Sequence, residues 1–114
     1  MSTLTLLSKI SNFIEKCEIE TFWKDTAQFL KRAEQMAQIC GDGTLYGSKV
    51  FLTKTHNGIK VISRHYFKVD EHWEETVISN NIPKRYVPYA IAIRISPDEE
   101  LDVTDELETK MANS

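Results

Sequence analysis

The sequence predicts an α+β fold, with two N-terminal helices packed on one face of a three- or four-stranded antiparallel sheet and an acidic C-terminal segment following it. Three observations predict it. Apolar residues recur at three- and four-residue spacing through the first forty positions. Two β-rich runs between Lys49 and Lys68 meet at Asn57-Gly58, and a third alternating run spans Val87 to Ile95. A chain of 114 residues suits one domain, divided into a helical part (1–40), a sheet part (48–95) and a tail (96–114).

The first stripe consists of Leu6, Leu7, Ile10, Phe13, Ile14 and Cys17, with Ser2 or Thr3 available as a cap. The second consists of Phe22, Trp23, Thr26, Phe29, Leu30, Ala33, Met36, Ala37 and Cys40, with Lys24, Asp25, Gln28, Lys31, Arg32 and Gln35 lying off it. One helix through both would run about 55 Å, longer than a compact domain of this size requires, so a break is expected near Glu18-Thr21 with Thr21 as the second cap. Gly41-Asp42-Gly43 supplies the C-terminal stop. These glycines leave a helix C-terminus, where the dipole repels anions, so they do not make a phosphate loop. The same dipole disfavours a thiolate at Cys40.

An Asn-Gly pair between β-rich runs favours a type I′ hairpin turn, which needs positive φ at both central residues. That turn would pair His56 with Ile59 and Leu52 with Ser63. Opposed residues share a face, so Val50, Leu52, Lys54, His56, Ile59, Val61, Ser63, His65 and Phe67 form an inner, core-facing side. The outer side carries Lys49, Phe51, Thr53, Thr55, Lys60, Ile62, Arg64, Tyr66 and Lys68, a basic surface with interleaved aromatics.

Trp73 to Ile78 fits a third strand, although Asp70 to Glu75 fits the start of a short helix equally well. Ser79-Asn80-Asn81 and Pro83 mark a loop. Tyr89, Ile91, Ile93 and Ile95 alternate with Ala90, Ala92 and Arg94 as a strand would, and Arg94 would add a cation beside the hairpin. Ser96-Pro97 with Glu99 reads as a helix start, and Val103, Leu107 and Met111 form a thin stripe beyond it.

The composition, 41% hydrophobic and 27% charged, excludes disorder of the whole chain. Charge is segregated: residues 1–40 are neutral, 41–94 carry +3 and 95–114 carry −6. Cys17 and Cys40 lie on apolar stripes and read as buried thiols, too few for a disulfide framework. No secretory leader pattern and no run approaching 18 apolar residues is present, so a cytoplasmic protein without membrane contact is the expectation.

No metal or cofactor is expected. His56 and His65 are separated by about 20 Å along the hairpin, and His72 has no partner at a ligand spacing. Adjacent carboxylates such as Glu74-Glu75 and Glu99-Glu100 point in different directions on a helix or strand. No nucleophile elbow, zinc-binding helix motif or nucleotide loop occurs. The chain is therefore read as non-enzymatic, with catalysis from scattered residues as an alternative.

The outer hairpin surface is the candidate site. Lys49, Phe51, Lys60, Ile62, Arg64, Tyr66, Lys68 and Arg94 are its candidate residues. Its rings and apolar side chains call for a cover, which points to a protein partner, including a second copy of the chain. Cations beside exposed rings are also what RNA or single-stranded DNA requires, and Lys84, Arg85 and Tyr86 repeat that combination. The expected job is that of a small adaptor, assembly or regulatory module, with nucleic-acid binding through the same face as the alternative. The acidic tail would then compete for the basic surface.

Overall fold

In a computed structural model, residues 3–40 and 43–113 are described. The proposed cap at Ser2 and the Gly41-Asp42 part of the helix stop lie outside them. The element order is α1 (Thr3–Cys40), β1 (Thr44–Thr55), β2 (Gly58–Val69), β3 (His72–Pro83), a 3₁₀ turn (Lys84–Tyr86), α2 (Tyr89–Ala92), β4 (Glu100–Asp102) and α3 (Thr104–Ala112). The strands form one antiparallel sheet in the order β3-β2-β1-β4, and the helices pack against its inner face.

The two expected N-terminal helices are one. α1 is continuous for 38 residues, about 57 Å at 1.5 Å per residue. The two apolar stripes differ in phase: at 100° per residue their centres lie about 150° apart. Only the second stripe faces the sheet. Phe22, Trp23, Thr26, Ala33 and Ala37 are buried, while Leu6, Leu7, Ile10, Phe13 and Ile14 are all about half exposed or more. A break would have let both stripes fold back onto one core. Without it, the first half of α1 projects, and the molecule measures 67 × 31 × 18 Å with a radius of gyration of 17.1 Å, against about 13 Å for a compact chain of this length. Cys17 and Cys40, expected to be buried, are both exposed.

β1 and β2 pair as expected but with the register moved by two residues. Leu52 opposes Val61, Val50 opposes Ser63 and Thr55 opposes Gly58. A shift of two preserves the face of every side chain, so the inner set is buried as predicted at Val50, Leu52, Ile59, Val61, Ser63, His65 and Phe67. The turn consists of His56-Asn57, neither with positive φ. Gly58 instead opens β2 where a Cβ would collide with the Ile82 carbonyl oxygen. The left-handed pair sits in the next turn, at Asp70 (φ 48°) and Glu71 (φ 70°), between the paired residues Val69 and His72. Those angles are the ones a two-residue type I′ hairpin uses.

β3 runs to Pro83, through the expected loop at Ser79-Asn80-Asn81. The predicted Val87–Ile95 strand is absent. Pro88 precedes α2, and its carbonyl accepts the amides of Ile91 and Ala92 at 3.0 Å. Ile91 and Ile95 are buried while Tyr89 and Ile93, which would share their face in a strand, are exposed. The acidic segment is docked: β4 pairs Leu101 with Leu52, and Val103 and Leu107 enter the core. Its helix starts at Thr104 rather than at Pro97. Asp98 turns the chain at φ 63°, and β4 comes first. The Thr104 hydroxyl then accepts the Val50 amide at 2.9 Å, tying α3 to β1.

Candidate functional site

The outer sheet face assembles most of the candidate residues. Lys49 and Phe51 come from β1, and Lys60, Ile62, Arg64, Tyr66 and Lys68 from β2. Ile62 is 8% exposed, so it serves as the floor of this face. Phe51, Lys60, Arg64 and Tyr66 are half-buried, and Lys49 and Lys68 are exposed.

Neighbouring strands add residues the sequence reading did not include. Cross-strand pairing puts Trp73, Glu75 and Val77 beside Lys68, Tyr66 and Arg64, and Glu100 and Asp102 beside Thr53 and Phe51. A bulge between Leu45 and Gly47 adds Tyr46 to the same side, where its ring meets Trp73 edge-on at 5.1 Å. Tyr46 and Trp73 are 62% and 61% exposed. Period-two alternation over Trp73, Glu75 and Val77 was present in the sequence as a signal, whereas the Tyr46 bulge had none.

The electrostatics differ from the expected open basic surface. Arg64 donates to Glu75 at 2.9 Å and to Glu100 at 2.8 Å, while its guanidinium carbon lies 5.3 Å from the Phe51 ring centre. The Glu75 hydrogen bond is the main reason its pKa is held above the ordinary value, with Glu100 adding to it and burial opposing. Asp102 is held below its usual range by the Thr104 hydroxyl and backbone amide, assisted by Lys49 and opposed by burial. Lys68 lies over the Trp73 ring at 5.9 Å. The acidic segment thus contributes to this face through Glu100 and Asp102 as part of the sheet.

Arg94 is not on this face. It follows α2 and donates through both terminal nitrogens to Glu106 of α3, at 2.9 and 2.7 Å. The Lys84-Arg85-Tyr86 group is also elsewhere. It forms the 3₁₀ turn, with Arg85 stacked 4.7 Å from the Tyr86 ring centre. Arg85 and Tyr86 border a groove of about 590 Å³ between α1 and residues 80–88, whose apolar lining includes Phe22, Phe29, Ile82 and Val87.

On the inner face, His65 is fully buried with both ring nitrogens occupied. Ser63 donates to the Ile78 carbonyl, so its oxygen accepts from His65 Nε2–H at 2.9 Å, and Ser48 donates to Nδ1 at 2.8 Å. Burial lowers the His65 pKa, and Glu34 acts in the opposite direction. Burial favours the neutral ring, and its bonds to Ser48 and Ser63, with Ser63 tied to Ile78, brace three strands.

Among the described residues, no group of three or more His, Cys, Asp or Glu side chains is placed to hold a metal ion, and no helix is long and apolar enough to cross a membrane. Comparisons with protein-family models, curated proteins and solved structures find no match to this chain.

Proposed function

We propose that the protein is a non-enzymatic protein-binding module that receives its partner on the outer sheet face. The observation that supports this reading is a separation of roles on that face. Its central arginine is already bracketed by Glu75 and Glu100, whereas the rings of Tyr46 and Trp73 and the Val77 side chain stay exposed. A surface made for phosphates would present unpaired cations and keep carboxylates away. Here Glu75, Glu100 and Asp102 line the same surface as Lys49, Lys60 and Lys68. Exposed aromatics around a buried apolar floor, with lysines at the margin, match a protein segment that offers apolar side chains and a carboxylate. A small adaptor or assembly role follows from that chemistry.

Peptides selected from a random library on the full-length chain test this reading. The expected binders are apolar and acidic, and Trp73→Ser or Tyr66→Ser weakens them at least tenfold while Phe13→Glu on the projecting helix does not. Labelled single-stranded RNA and DNA serve as the competing probes. Salt-sensitive oligonucleotide binding that Tyr66→Ala reduces, with no peptide selected, would overturn the protein-partner reading in favour of nucleic acid.

A further inference from the structure

We infer that the projecting half of α1 is a self-docking surface, on which a second copy of this chain lays its own α1 antiparallel. This inference is independent of the outer sheet face. Leu6, Leu7, Ile10, Phe13 and Ile14 are 51%, 56%, 47%, 67% and 51% exposed. They form one contiguous stripe on a helix that extends past its own core. Scattered exposed apolar residues are ordinary, but a continuous helical stripe of this kind is the seam of a helix pair.

Three features select a second copy, and an antiparallel one, as the occupant. The seam residues Leu7, Ile10, Ile14 and Cys17 are spaced symmetrically about Asn12. A two-fold axis at Asn12 therefore stacks Leu7 on Cys17 of the second copy and Ile10 on its Ile14, with Phe13 falling beside the small Ser11. Charge agrees with that direction. Residues 5–14 carry Lys9 and no carboxylate, while residues 15–20 carry Glu15, Glu18 and Glu20 with one Lys16. Antiparallel pairing lays the basic tip of one helix along the acidic stretch of the other and opposes their dipoles, whereas parallel pairing stacks the glutamates on each other. Sterics agree as well. The buried core of each copy begins at Phe22 with Ile19 packed against it, and Tyr89 borders the stripe between Leu7 and Glu18, so an axis at Asn12 places the two sheets at opposite ends of the paired helices with Tyr89 flanking the seam.

Five apolar side chains from each copy bury on the order of 1,000 Å² in total, at the lower bound of specific interfaces. An interface of this size fits a reversible dimer rather than an obligate one.

Sedimentation velocity of the full chain across the micromolar range tests the association. The expected result is a concentration-dependent dimer that Ile10→Glu makes monomeric. Unchanged Trp23 emission would show that this exposed substitution leaves the core folded. A wild-type chain that stays monomeric throughout, or a dimer that Ile10→Glu leaves intact, would overturn the inference. Orientation is read by diamide oxidation in a Cys40→Ser background. Leu7→Cys is expected to give a reducible dimer linked through native Cys17, at least tenfold faster than Cys17 links to itself in the Cys40→Ser chain. Equally fast Cys17–Cys17 linkage without Leu7→Cys would overturn the antiparallel arrangement.

Discussion

Phe13 and Phe22 lie nine residues apart on one unbroken helix and face opposite ways, the first 67% exposed and the second 4%. Nine residues at 100° each amount to half a turn beyond two full ones, so a straight helix can bury only one of them against a single sheet. Phe22→Ala is therefore expected to cost about 3–5 kcal/mol in unfolding free energy, and Phe13→Ala to stay within about 0.5 kcal/mol. Urea unfolding of the two variants measures this. A loss at Phe13 comparable to that at Phe22 would mean that the first stripe packs on the core.

His65 sets a pH dependence. Its folded-state pKa lies below the ordinary value because burial disfavours the imidazolium. The unfolded chain therefore binds more protons as pH falls through the usual histidine value of about 6.5. Stability from this group is complete above that pH and declines below it, toward the lowered folded value. Urea midpoints should fall between pH 7.5 and pH 5, and His65→Gln should flatten that dependence. A wild-type midpoint that stays constant over this interval would contradict the neutral bracing ring.

The two hairpin turns respond oppositely to glycine chemistry. Gly58→Ala forces a Cβ into the Ile82 carbonyl oxygen of the adjoining strand and is expected to cost about 1–3 kcal/mol, as overpacking does. Glu71 holds φ 70° without being glycine, so Glu71→Gly is expected to stabilise by up to about 1 kcal/mol. Thermal unfolding of both variants gives the signs. A destabilising Glu71→Gly would contradict a type I′ turn at Asp70-Glu71.

Arg64 joins β2 to β3 and β4 through exposed pairs with Glu75 and Glu100. Pairs this exposed contribute little individually, so Arg64→Ala should cost about 1 kcal/mol or less, and the loss should shrink in high salt. Guanidinium-free unfolding in low and high salt reads both effects. A salt-independent loss would assign the effect to Arg64 packing on Phe51 instead of to its charge.

How far the sequence revealed this arrangement depends on the signal involved. Alternation over Val50, Leu52, Val61 and Phe67 fixes which face is buried, and a two-residue register shift leaves that result unchanged. The turn itself was misplaced, since Asn57-Gly58 carries the strongest hairpin composition while Gly58 is required here for close strand approach. Ile91 and Ile95 satisfy both a period of two and a spacing of four, so the strand reading of Val87–Ile95 failed on an ambiguity that only packing resolves. The opposed phases of the two α1 stripes were present in the sequence, but compactness favoured a break over a projecting helix. At the candidate site, the hairpin's own residues were legible. Glu100, Tyr46 and Trp73 reached it through β4 pairing, a bulge and β3 pairing, which no local pattern specifies. Arg94 was assigned there through a strand that does not form.

Quenching of Trp73 fluorescence reads docking on the outer face, because Trp73 is exposed there while Trp23 is buried in the core. With a selected apolar, acidic peptide added to saturation, acrylamide quenching of the exposed tryptophan is expected to fall severalfold. A peptide that binds the chain while leaving Trp73 as accessible as before would contradict docking on this face.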